Sequence, residues 1–421
     1  MRAHPPGCRL TETKISAYER EERKPTTANL NAMLKALEHA WKKRGLEFGE
    51  AEQRALFHTP TLDAATSNGS ANEEEDADRR TAGKILVVGS LSAALAPSAA
   101  LERITTHGDR TVDTKLIAAH EDIADMLATM HMAVRPSALV GLVARHADVL
   151  LRLLVRGTTD AVRKRVDVAV VESCAQAGLL GFFGGAREIA RHYFALARTV
   201  SDDSGDDTLT GQALVAASSM YSPIPAGGRG GNVRLSVEML QDATDSLKVA
   251  TSDVSAWAYR WLGQELAAAG DERGFCQAME TTERLAEQPI YHDGRGFFAR
   301  YAADLNKKGA ARDEGVGYVL LGRPDRAADV LSTVQVEGNP RRQVTVLTEV
   351  AGVRILQNEP ERACQELSTA IDLALDAGYP MGIERIRGLR ARFSAHWAKL
   401  PCLVELDGQL RLAIASLQGP Q

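Results

Sequence analysis

Four stretches of this 421-residue chain repeat one plan, and that plan limits the folds open to it. They read "GLLGFFGGAREIARHYFALA", "YRWLGQELAAAGDERGFCQAME", "GVGYVLLGRPDRAADVLST" and "GVRILQNEPERACQELSTAI". In each, an apolar segment with helical periodicity runs into a turn at Gly185, Gly270, Gly322 or Asn358, and a second helical segment follows. Gly, and after it Asn, tolerates the left-handed backbone that ends a helix. Ala190, Ala327 and Ala363 stand five positions after their turn residue, where a small side chain lets two helices approach closely; Phe275 holds that place in the second stretch. The step from Gly322 to Asn358 is 36 residues. A unit of that length cannot bury its apolar face alone, so the pattern predicts stacked helical hairpins.

Composition agrees with an all-α chain. Hydrophobic residues make up 44% and aromatics only 5%, and the Ala and Leu that dominate favour helix over sheet. The length allows two or three domains. The formal net charge of −5 means that any nucleic-acid contact must be local. Cys8, Cys174, Cys276, Cys364 and Cys402 lie far apart with no C-x-x-C pair, which argues for reduced thiols over a disulfide framework or a metal site. No cofactor motif is present. "SPIPAGGRGGN" (Ser222 to Asn232) lacks the order and the lysine of a phosphate loop and reads as an inter-repeat loop. His120, His131 and His146 have no second ligand at metal spacing and read as satisfied surface or core residues.

Four regions follow. Residues 1–57 are periodic and mixed in charge. Residues 58–83 carry the acidic cluster Glu73 to Asp78 and little apolar mass, the composition of a flexible linker. Residues 84–111 open on the apolar run "KILVVGSLSAALAPSAAL" behind Arg79-Arg80. That run is short for a membrane span and contains Pro97, so an apolar linker helix is expected and no membrane partner. Residues 112–421 are helical throughout in pattern. Across roughly residues 160–380 the hairpins resemble tetratricopeptide repeats in degenerate form, which implies a tetratricopeptide-like α-solenoid, with the segment from Val112 to Gly157 capping it.

The N-terminal region holds "LTETKISAYEREERKPTTANLNAMLKAL". Thr11 can cap a helix, Ile15 and Tyr18 fall on one face, and Glu12, Thr13, Ser16, Ala17 and Arg20 on the other. Small polar side chains at the start of that outer face suit close approach to base edges, and Arg20, Arg23 and Lys24 suit phosphates. Pro25 stops the helix, and Leu30, Met33, Leu34 and Leu37 give the next one its apolar stripe. The run Ile15, Ser16, Glu19, Arg23 or Lys24, Pro25, Thr26 resembles the recognition helix and following helix of phage-repressor-like (Cro/C1-type, or XRE) helix-turn-helix regulators, with Glu21 where the family has Gly. The resemblance implies DNA contacts by Glu12, Thr13, Lys14, Ser16, Ala17, Arg20, Arg23 and Lys24. Only nine residues precede Leu10, whereas the family places two bracing helices there. The helix-turn-helix is therefore expected to be partial, with weak DNA binding by the chain as written. The alternative for residues 11–37 is an ordinary helical hairpin. The whole layout is similar to a group of actinobacterial regulators.

These readings lead to a cytoplasmic transcriptional regulator with a repeat domain that senses a peptide, small molecule or protein; a homodimer is the usual way to read two half-sites. The alternative is a repeat-based interaction protein that has lost DNA binding. No constellation supports an enzyme. An effector groove is expected along the first helices of successive hairpins, with Arg260, Tyr318 and Arg354 as candidate contacts and Trp257 and Trp261 as inter-repeat packing. Replacing Arg260 and Arg354 by Ala is expected to leave melting almost unchanged.

Overall fold

The structure, a computed structural model, describes residues 112, 114–154, 159–224, 231–250, 252–288, 295–334 and 339–418. The expected DNA-reading region (1–57), acidic linker (58–83) and apolar linker helix (84–111) lie outside the described residues. Those described form helices and no strand. In chain order they are α1 (Thr114–Met130), α2 (Pro136–Leu154), α3 (Asp160–Phe183), α4 (Arg187–Ser204), α5 (Asp207–Ser218), α6 (Val233–Ser246), α7 (Ser252–Ala268), α8 (Glu272–Ala286), α9 (Phe297–Leu320), α10 (Pro324–Ser332), α11 (Pro340–Leu356), α12 (Pro360–Asp376), α13 (Pro380–Arg390) and α14 (Pro401–Gln418).

The turns take the form the repeated pattern predicts. Gly185, Gly270, Gly322 and Asn358 all have positive φ, and Asn358 is the one non-glycine to do so among the described residues. At each, the N–H of the next residue reaches back five positions: Ala186 to the Gly181 carbonyl, Asp271 to Leu266, Arg323 to Tyr318, Glu359 to Arg354. This closes the free carbonyls at the helix end. The same geometry recurs at Gly378, with the Tyr379 N–H on the Ala374 carbonyl. Pro324, Pro360 and Pro380 then open the following helices, where a missing N–H costs nothing.

Each hairpin pairs an inner with an outer helix: α3 with α4, α5 with α6, α7 with α8, α9 with α10, α11 with α12. The outer helices α4, α8, α10 and α12 carry a one-sided apolar stripe, while inner helices α3, α5 and α11 bury residues nearly all round, with Arg341, Arg342 and Glu349 of α11 among them. A helix with neighbours on every side has no face left for solvent. Ala190, Ala327 and Ala363 are fully buried, as close approach requires. Phe275, the exception, is equally buried because the small residue has moved to the opposing helix: a Cβ on Gly317 would overlap the Phe275 ring.

The inner helices do not stack open-ended. Helix α3 packs on α5, α5 on α7, α7 on α9, α9 on α11, α11 on α13, and α13 returns to α3. At the closure Pro380 lies against Gly185, and the rings of Phe183 and Tyr379 are 6.2 Å apart. Helix α1 packs on α3 and reaches α9, so it crosses the ring and does more than cap one end. There the Arg300 guanidinium grips Asp125 through two hydrogen bonds of 2.6 and 2.7 Å, Arg295 meets Asp122 at 2.5 Å, and the Gly296 N–H donates to Asp125. Glu172 of α3 accepts from the N–H groups of Phe297 and Phe298, at the positive end of the α9 dipole. Helix α3 is the one described helix long and apolar enough to cross a membrane, and 83% of its apolar window is buried inside this core.

Candidate functional site

Six inner helices arranged in a ring leave a space at its centre, and this chain does not fill it with apolar side chains. A partly enclosed cavity of about 140 Å³ remains. Phe182 and Phe183 of α3 contribute to its wall, followed by Ser218 of α5, Ser219, and then Trp261, Gln264 and Glu265 of α7. Tyr301, Arg312 and Asp313 of α9 come next, then Arg341, Arg342 and Thr345 of α11, and Tyr379, Met381 and Arg385 around the start of α13. Val316 of α9, Met132, just past α1, and Ser222 and Ile224, just past α5, complete the lining.

The charges are held by neighbouring helices. Arg312 pairs with Asp313, and Asp313 also meets the Arg260 guanidinium at 2.9 Å. Arg385 of α13 places Nε 2.9 Å from Glu349 of α11, tying two inner helices together. Arg342 pairs with Asp304 of α9, and Arg341 donates to the His131 carbonyl at the end of α1. Burial pushes the Glu265 carboxyl up to about 7, against hydrogen bonds to Ser222 and Ser236 that favour its ionised form. Burial also lifts the Tyr301 phenol to about 12, so it stays neutral. Two buried polar atoms of the lining have no protein partner: Arg342 Nε and Glu265 Oε2. A cavity with such groups suits a polar occupant, since a buried polar atom left unmatched costs about 1–3 kcal/mol.

The expected effector residues sit elsewhere. Arg260 is fully buried, its guanidinium against Asp313, and does not line the cavity. Burial lowers its pKa to about 10, which leaves it charged at neutral pH. Removing it would strand Asp313 with one cation fewer in the core, a loss on the order of 3–5 kcal/mol, so the expectation of unchanged melting for Arg260→Ala is corrected. Tyr318 packs edge-on against Phe275 beneath Arg326, in the α8–α9 seam. Arg354 pairs with Glu359 across the α11–α12 turn. Trp257 is fully buried against Trp261, Phe298 and Tyr301, whereas Trp261 also reaches the cavity. Glu12, Thr13, Lys14, Ser16, Ala17, Arg20, Arg23 and Lys24 lie outside the described residues.

Arg312, Asp313, Arg341, Arg342, Arg385 and Glu265 were not singled out from the sequence. A signal existed: Arg312-Asp313 interrupts the small and apolar face of α9, and Arg341-Arg342 follows directly on the proline that opens α11. Charges on helices otherwise dressed for burial mark either an ion-pair network or a site. The three histidines are buried, His131 among Phe183, Phe297 and Tyr301, and His120 beside His146. No cluster of three metal-ligating side chains occurs among the described residues. Comparison with protein-family models finds no match, and neither does comparison with curated proteins.

Proposed function

We propose that this chain is a DNA-binding transcriptional regulator of the cytoplasm whose helical ring, built from degenerate tetratricopeptide-like hairpins, senses a small molecule in its central cavity. The cavity carries this reading: a charged, partly enclosed space of about 140 Å³ favours a compact ligand over a peptide or partner helix. The N-terminal segment "TETKISAYEREERKPTT" supports the DNA half through its resemblance to phage-repressor-like recognition helices. Helix α1 offers the link. It is the first described helix after that segment, and Arg341 of the cavity wall holds the carbonyl of His131 at its end. A ligand that competes for Arg341 would therefore act on the element leading to the DNA reader.

A gel-shift titration of the full chain on the DNA upstream of its own coding sequence tests this. Sequence-selective binding, lost in Ser16→Glu with Arg20→Glu, is the expected result. Filling the cavity by Thr345→Trp should leave that binding in place and abolish the response of a reporter gene to growth conditions. Equal affinity for scrambled DNA would leave a repeat protein without a DNA role.

A further inference from the structure

Five guanidinium groups (Arg260, Arg312, Arg341, Arg342 and Arg385) and four carboxyl groups (Glu265, Asp304, Asp313 and Glu349) lie in and around the cavity. Arg312 shares the buried Asp313 with Arg260, and Arg385 pairs with the buried Glu349. Arg342 is less fully matched: its side chain is 7% exposed, it pairs with the half-exposed Asp304, and its Nε has no protein partner. A guanidinium edge of that kind is shaped for a carboxylate. The rest of the wall is rich in rings, with Phe182, Phe183, Trp261, Tyr301 and Tyr379. Such rings pack best on another flat ring, in offset or edge-on contact. Size sets the last limit, since an apolar cavity of roughly 150 Å³ accommodates one benzene molecule.

We propose that the cavity binds a small aromatic carboxylate, with Arg342 on the carboxylate, the aromatic wall around the ring, and Glu265 opposite a ring hydroxyl. The proposal rests on the cavity's being the effector site. By the order of helices around the ring, α7, which carries Glu265, lies opposite α13, which carries Arg385, and two places from α11, which carries Arg342. The two partnerless atoms thus belong to non-adjacent helices that line one cavity. A free peptide C-terminus shares the carboxylate but not the fit of a single ring to this volume.

Calorimetry on the full chain with benzoate, 4-hydroxybenzoate, benzyl alcohol and inorganic phosphate decides. Benzoate and 4-hydroxybenzoate should bind, and benzyl alcohol and phosphate should bind at least about tenfold more weakly. Arg342→Gln should weaken both carboxylates about tenfold or more, and Glu265→Leu should erase the preference for 4-hydroxybenzoate over benzoate. Benzyl alcohol binding as well as benzoate would overturn the proposal in favour of a plain apolar cavity. Phosphate binding as well would overturn it in favour of a generic anion site, and binding by none of the four would leave a water-filled space. The wild-type comparison of benzoate with benzyl alcohol reads the same question without a variant, should Arg342→Gln not fold. Sequence-selective DNA binding with no carboxylate bound would sink the ligand class alone, whereas carboxylate binding without DNA binding would sink only the regulator.

Discussion

His120 and His146 are two buried imidazoles that burial keeps neutral. His120 Nδ1 stands 3.4 Å from His146 Nε2, and His146 Nδ1 is 3.2 Å from the Ser173 hydroxyl. Burial drops the His120 pKa from 6.5 to about 4, and burial together with His120 lowers that of His146. The unfolded chain accepts a proton as pH falls below 6.5 that the folded chain refuses until about 4, so stability drains across that window. For His120 the loss is about 3 kcal/mol. Urea midpoints at about pH 7 and about pH 5 should therefore differ more in the wild type than in His120→Gln. Glu265 has the opposite sign. Its folded pKa of about 7 exceeds the 4.5 of a free carboxyl, so its favourable protonated burial is complete below 4.5 and lost as pH rises through 7. Glu265→Gln should remove that fall in stability between about pH 4.5 and about pH 7 and leave the profile below 4.5 unchanged.

At the scale of the helical element, one turn and one seam make quantitative tests. Asn358 holds a left-handed backbone at φ 66°. Asn358→Gly should be neutral or slightly stabilising, whereas Asn358→Ala should cost about 1 kcal/mol in thermal or chemical unfolding. In the seam between α8 and α9, Phe275 occupies the space that a Cβ on Gly317 would need. Gly317→Ala alone should cost on the order of 1–3 kcal/mol by overpacking, and Phe275→Ala alone about 3–5 kcal/mol by cavity formation. The double variant should lose clearly less than the sum, since each change relieves the other. Additive losses would mean that the two positions do not share one space.

For the whole molecule, closure of α13 onto α3 is the decisive contact. An open array of hairpins is held by nearest neighbours and can fray from its ends. Here the last inner helix touches the first, and α1 bridges α3 to α9 through the Arg300–Asp125 pair. Amide exchange should accordingly show α13 protected to the same degree as α3, and far-ultraviolet and tryptophan signals should melt together. Early exchange of α13 and α14, well before α3, would mean an open array. The α1 bridge is partly exposed, with Arg300 and Asp125 at 37% and 22%, so its removal should change stability little; its expected effect is on the motion of α1.

The helical class, the hairpin turns and the small-residue contacts were legible in the sequence because they are local. A Gly or Asn at a helix end and an Ala five residues on are set by backbone sterics within one hairpin. The apolar stripes of the outer helices were legible for the same reason. Ring closure, and with it the cavity, was not legible. It depends on the summed angles between successive hairpins, which small differences in side-chain volume such as Phe275 against Gly317 set one contact at a time. The candidate site could not be read for a related reason: Arg312, Arg341, Arg342, Arg385 and Glu265 come from four helices that only closure brings around one space. Arg260 shows the converse. Its position on an inner helix was readable, but whether an inner-face arginine meets a ligand or a buried Asp313 is decided by the neighbouring helix, and here it is the aspartate.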